Sequence, residues 1–129
     1  MEDHAARKNV DEFILERIDG VPHLEALLLI WNQRPKTWTV DEIANALYVH
    51  ADVSRKILED LRQQSLIAQG QDQYFYEEQS EEKNKLMQAV DKTYRSELVR
   101  ISTMIHAKAS PALRDFARAF RIKDAKDKP

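Results

Sequence analysis

The sequence predicts a mainly α-helical protein with one small β-hairpin. Three observations carry that expectation. Glycine is scarce, with Gly20 and Gly70 alone in 129 residues, and tight turns and phosphate-cradling loops both lean on glycine. Apolar residues recur at helical spacings of three and four along most of the chain. The pattern lapses around Gly70, where a Leu-Ile-Ala run and the aromatic run Gln73-Tyr74-Phe75-Tyr76 flank a polar turn, as a hairpin requires.

Residues 1–9 are polar without periodicity and are expected to form a disordered end. Val10, Phe13, Ile14 and Ile18 then mark one face of a short amphipathic helix. Gly20 suits its end and Pro22 the first turn of the next helix. There Leu24, Leu27, Leu28, Ile30 and Trp31 are apolar on most faces, which predicts a helix at the centre of a small core. Thr39-Val40-Asp41-Glu42 reads as a capping box, in which hydroxyl and carboxylate each satisfy an orphaned backbone N–H. Val40, Ile43, Ala44 and Leu47 share a face of the helix that follows. After a turn at Tyr48-Val49-His50, a helix over 51–64 is expected to bury Val53 or its neighbour, then Ile57, Leu58 and Leu61. Leu66-Ile67-Ala68 reads as a strand, Gln69-Gly70-Gln71-Asp72 as a turn, and Gln73-Tyr74-Phe75-Tyr76 as the returning strand.

Two helices joined by a short turn, then a hairpin, is the order of a winged helix-turn-helix. The stretch 39–76 resembles the winged-helix regulators broadly of the MarR kind. The residues that carry the resemblance are Thr-Val-Asp-Glu-Ile-Ala-Asn-Ala-Leu, then Val-Ser-Arg-Lys-Ile-Leu-Glu-Asp-Leu, then Ser-Leu-Ile-Ala. Ala44 stands where the two helices need close approach, and Ile57 and Leu61 where the second packs back. About half of the chain is covered, and the motifs are structural rather than chemical. With the preceding helices the winged-helix domain spans 10–78. The resemblance implies that the second helix of the pair enters the DNA major groove, with Ser54, Arg55 and Lys56 near base edges and Arg62 at the far end.

From Ser80 the character changes. Glu81 and Glu82 suit a helix start. Leu86, Val90, Tyr94, Leu98, Ile101 and Ile105 then form one stripe, predicting a long helix of about seven turns and about 36 Å. A stripe of that length has to be covered. Dimerisation through paired helices is the expected cover, as the resemblance also implies, with folding back onto the N-terminal helices as the alternative. Ser110-Pro111 breaks the run and opens a short final helix, with Arg114, Arg118 and Arg121 on its polar face. The extension spans 80–122, and a charged tail from Lys123 occupies 123–129.

No catalytic constellation is expected. His4, His23, His50 and His106 fall in separate elements, and neighbouring acids such as Glu59 and Asp60 diverge on a helix instead of converging. Cysteine is absent, which excludes disulfides, thiol catalysis and Cys-based metal sites and suits a reducing cytoplasm. The longest apolar run, 26–31, falls far short of the roughly 20 residues a membrane span needs, and the N-terminus has no signal-peptide pattern. The sequence thus predicts a binding protein, not an enzyme, with no cofactor and no metal.

Charge is unevenly spread. Residues 1–82 carry 8 basic and 17 acidic side chains, a balance of −9, while residues 83–129 carry 12 and 5, a balance of +7. In the second helix of the pair, Arg55, Lys56 and Arg62 meet Asp52, Glu59 and Asp60, and the hairpin and its flank carry Asp72, Glu77 and Glu78 with no cation. DNA affinity comes largely from neutralised phosphates, so the basic C-terminal arm, with Arg114, Arg118, Arg121 and Lys123, is the expected supplier. The leading expectation is a cytoplasmic, dimeric, DNA-binding transcription regulator. The rival is a protein-docking module in which Tyr74, Phe75 and Tyr76 meet a regulatory protein and the basic arm meets an acidic surface.

Overall fold

The computed structural model describes residues 2–109. Six helices and one hairpin follow in order: α1 (Glu2–Arg17), α2 (Val21–Asn32), α3 (Val40–Leu47), α4 (Ala51–Gln63), β1 (Ala68–Gly70), β2 (Gln73–Phe75), α5 (Glu81–Ser96) and α6 (Leu98–Ala109). The protein is mainly α with a small hairpin, as its periodicity predicts. No helix among the described residues is long and apolar enough to cross a membrane.

The core is built around α2. Gly20, in extended backbone, caps it, Pro22 sits in its first turn, and Leu24, Ala26, Leu27, Leu28, Ile30 and Trp31 are all buried. A helix apolar on most faces has to be wrapped, and α2 packs against α3, α4, α5 and α6 while Pro22, Glu25 and Asn32 stay exposed. At its far end the Arg34 guanidinium lies 3.4 Å from the centre of the Trp31 ring, and Tyr76 meets that ring edge-on at 5.0 Å.

The capping box forms as read: Glu42 N–H donates to the Thr39 hydroxyl at 3.1 Å, and Thr39 N–H to the Glu42 carboxylate at 2.9 Å. The Thr39 N–H, first among the causes, holds the Glu42 carboxyl below its usual value. The hairpin is shifted from the sequence reading. Ser65, at φ 60, turns Leu66 and Ile67 into the core before pairing begins. The strands then run Ala68↔Phe75, Gln69↔Tyr74 and Gly70↔Gln73 around a two-residue turn. Tyr74 also exchanges both backbone hydrogen bonds with Trp38 at 2.7 Å, so β2 is paired on two sides.

Two expectations are corrected. Over its described residues, 2–9, the N-terminal end is not free of structure: α1 begins at Glu2, Val10 just beyond is fully buried, and Arg7 donates to Glu97 at 2.6 Å. The single long C-terminal helix is two helices, broken at Glu97 (φ −130, ψ 44). The Ser96 hydroxyl bonds back to the Lys92 carbonyl at 2.9 Å, a local competitor to the helix ladder. Geometry gives the reason. An unbroken helix of about 36 Å overshoots α1, which spans about 24 Å, and leaves Ile101 and Ile105 in solvent.

The break folds the stripe inward instead. Val90, Ile101 and Ile105 are 0% exposed within the protein's own core, and Leu86 and Tyr94 pack beside it. Of the six stripe residues expected at a dimer interface, only Leu98 is exposed. The alternative of folding back is therefore what this structure adopts. Arg100 ties α6 to Asp11 at 2.9 Å, and Lys108 reaches the Ile18 carbonyl at 2.7 Å. Ile101→Ala is expected to cost about 2–5 kcal/mol in denaturant unfolding, as truncation of a fully buried aliphatic does; unchanged stability would remove α6 from the core.

Candidate interaction surface on α3, α4 and the hairpin

The outward face of α4 is where the sequence places function. Core burial takes Ile57, Leu58 and Leu61, which leaves Asp52, Val53, Arg55, Lys56, Arg62 and Gln63 exposed. The three-residue turn from α3 is made by Tyr48 in left-handed backbone, at φ 58 and ψ 45, with Val49 N–H donating to the Ala44 carbonyl. Tyr48 is 95% exposed.

Each sequence-predicted cation of α4 is already held by a carboxylate of the same helix. Arg55 donates to Asp52 at 3.3 Å, Lys56 to Asp60 at 2.8 Å, and Arg62 to Glu59 at 2.9 Å. These are spacings of three and four residues, where helix side chains meet. Arg62 first, then the Tyr74 hydroxyl, hold the Glu59 carboxyl low. Ser54 is a correction. It is the residue buried in place of Val53, at 0% exposure, and its hydroxyl donates to the Val40 carbonyl at 2.8 Å. It joins α4 to α3 and has nothing to offer a ligand.

In the aromatic hairpin, inward packing as strand alternation favours is what Tyr74 and Tyr76 adopt, and docking of a partner by their rings is not. Tyr74 is buried and donates to Glu59 at 3.0 Å, and Tyr76 is buried and donates to Asn84 at 3.0 Å. Only Phe75 of the three is partly exposed. Arg114, Arg118, Arg121 and Lys123 lie outside the described residues.

Between α3, α4 and the hairpin runs an open groove of about 640 Å³ lined by Asp41, Arg55, Glu59, Asp72 and Tyr74, with Thr39, Val40 and Gln69. Three carboxylates and one guanidinium set its charge. Over residues 39–79 the balance is −5, from three basic and eight acidic side chains.

One cluster escaped the sequence reading. Asp19, His23 and Asp60 bring their polar atoms within 4.8 Å of one another. His23 Nε2 lies 2.9 Å from Asp60, and its Nδ1 is buried without a partner. The residues are a poor fit for a metal ion. Lys56 and His23 occupy both oxygens of Asp60, and the Lys56 ammonium repels a second cation. The cluster is a bridge between α2 and α4. His23 and Asp60 are 37 positions apart, and no local pattern announces such a pair.

Comparison with family models, with curated proteins and with solved structures finds no match.

Burial pushes the Asp60 carboxyl up, but hydrogen bonds from Lys56 and His23 outweigh it and hold it below 3.8. A lowered carboxylate contributes stability that is complete above its unfolded value and lost as pH falls through the folded one. The stability gap between the wild-type chain and Asp60→Asn should therefore be constant above about pH 5 and shrink in acid. A gap independent of pH down to acid unfolding would show that the bridge carries no such linkage.

Proposed function

We propose that this chain is a winged-helix interaction module, which acts in regulation by docking a basic protein surface on the face formed by α3, α4 and the hairpin. The single observation that carries the reading is electrostatic. The groove on this face sets three carboxylates, Asp41, Glu59 and Asp72, against the single cation Arg55, and all three cations of α4 are paired within their own helix.

The winged-helix assignment is supported by the order of elements. After α2 comes the Trp38 bridge, then α3 and α4 across a three-residue turn, then a hairpin whose second strand pairs with Trp38. In this arrangement α4 is the presented helix and the hairpin is the wing. Such a frame serves many partners, so the surface decides between them. Duplex DNA carries about one negative charge per 1.7 Å, and proteins bind it by replacing its counterions with their own cations. A face whose carboxylates outnumber its cations gains nothing from that exchange. It is suited to lysine- and arginine-bearing protein surfaces, which it steers and orients. Its chemistry is binding rather than catalysis, and its cysteine-free composition suits a reducing compartment.

A DNA-reading role is the second reading, favoured by the exposure of Arg55 and Lys56 on the first half of α4. Exposed ion pairs are weak, and a phosphate or guanine competes with them. Fluorescence anisotropy with mixed-sequence duplex DNA separates the two. At about 50 mM salt any duplex binding by the full chain is expected to come from the basic C-terminal arm and to be unchanged in Arg55→Glu/Lys56→Glu. Saturable binding that falls steeply with salt and is lost in Arg55→Glu/Lys56→Glu would overturn the protein-docking reading.

A further inference from the structure

Tyr48 is a residue that no folding requirement accounts for. It closes α3 in left-handed backbone, a conformation that glycine and asparagine fill at helix ends and that a bulky side chain adopts at a cost. The side chain returns nothing to the core, being 95% exposed. Among the described residues no ring or cation stacks on it. Val53, in the first turn of α4, is 45% exposed at the same end of the helix pair. An aromatic and an aliphatic side chain thus project from the tip of a face that is otherwise charged.

The surroundings indicate what covers them. Asp52 follows the turn with its side chain 97% exposed. From there α4 leads to Arg55 and Glu59, which both line the net-acidic groove with Asp41 and Asp72. The path from Asp52 to Glu59 is about 10 Å along the helix, the reach of three or four extended residues.

We propose that Tyr48 is the anchor of the docking face: its ring packs beneath an arginine or lysine stem of a basic segment from a partner protein. Neighbouring cations of that segment then reach Asp52, Asp41 and Asp72. The inference rests on the protein-docking reading above and adds to it the residue that holds the partner and the chemistry of what is held. Large, rigid aromatics with few rotatable bonds are the usual energetic centres of interfaces, and a cation over a phenol face is attracted by its quadrupole.

The test uses the full chain and a random-peptide display library. Selected peptides are expected to be rich in arginine and lysine and to bind in solution as synthetic peptides. Tyr48→Asn is expected to weaken them about tenfold or more, while its melting temperature stays level or rises because asparagine suits the left-handed position. Tyr48→Phe is expected to keep most of the affinity. If Tyr48→Asn binds as the wild type does while Asp41→Lys/Asp72→Lys does not, the anchor is overturned and the acidic docking face stands. Selection of acidic peptides, or of none, overturns both. Duplex DNA binding that depends on Tyr48 also overturns the proposal in favour of DNA, and self-association that depends on Tyr48 makes the occupant a second copy of this chain.

Discussion

A helix that is apolar on most of its faces dictates this structure. The buried residues of α2 take up most of its circumference and leave only the side with Pro22, Glu25 and Asn32 exposed, so the chain has to supply cover on several flanks. The helix pair α3 and α4 covers one flank, α5 and α6 another, and Tyr76 closes the Trp31 end. The break at Glu97 follows from the same demand. A straight helix keeps its stripe on one line, whereas α1 and α2 are short and need cover from two directions. Hydrophobic burial of Ile101 and Ile105 at about 25 cal/mol per Å² outweighs the few backbone hydrogen bonds that the break disturbs.

Once the apolar sides are spent on α2, charged residues are left to define the outward faces. On α4 they alternate in sign at spacings of three and four, and the pairs close within the helix. Such pairing leaves little free positive charge. The hairpin adds only acids. The electrostatic character of the face is therefore a product of local sequence and not of the tertiary fold, which explains why composition already foretells it.

Much of the fold was legible for that reason. The capping box at Thr39–Glu42, the central role of α2, the turn at Tyr48 and the buried trio Ile57, Leu58 and Leu61 are all encoded within one or two helical turns. What the sequence did not reveal depends on residues far apart along the chain. The stripe from Leu86 to Ile105 has the same periodicity whether it meets a second chain or its own N-terminal helices. Ser54 looks like an exposed polar residue of a presented helix until Val40 is placed beside it. Arg7 and Arg100 gain their role from Glu97 and Asp11 across the bundle, and this pairing draws the expected loose end into a helix. The exposure of Tyr48 belongs to a third kind. Its turn was legible, but local pattern does not say whether an aromatic in a turn is buried, and only the surrounding packing decides.

The polar bonds that the sequence concealed converge on α4. Ser54 fixes it to α3, His23 and Asp60 to α2, and Glu59 and Tyr74 to β2, while Ile57, Leu58 and Leu61 anchor it in the core. Each bond satisfies a group whose desolvation would otherwise be costly. Together they hold α4 to three different elements, so the helix has little freedom to roll or slide. A surface held in this way has less conformational entropy to lose when a partner arrives, and preorganisation of this kind turns contact area into affinity. The same bonds fix the geometry between Asp52, next to the Tyr48 turn, and the groove at Glu59, because both of these residues belong to α4. Residues that seem wasted for recognition, Ser54 above all, therefore act on it indirectly. They lie beneath the proposed docking face, yet they set where Asp52, Arg55 and Glu59 stand on it.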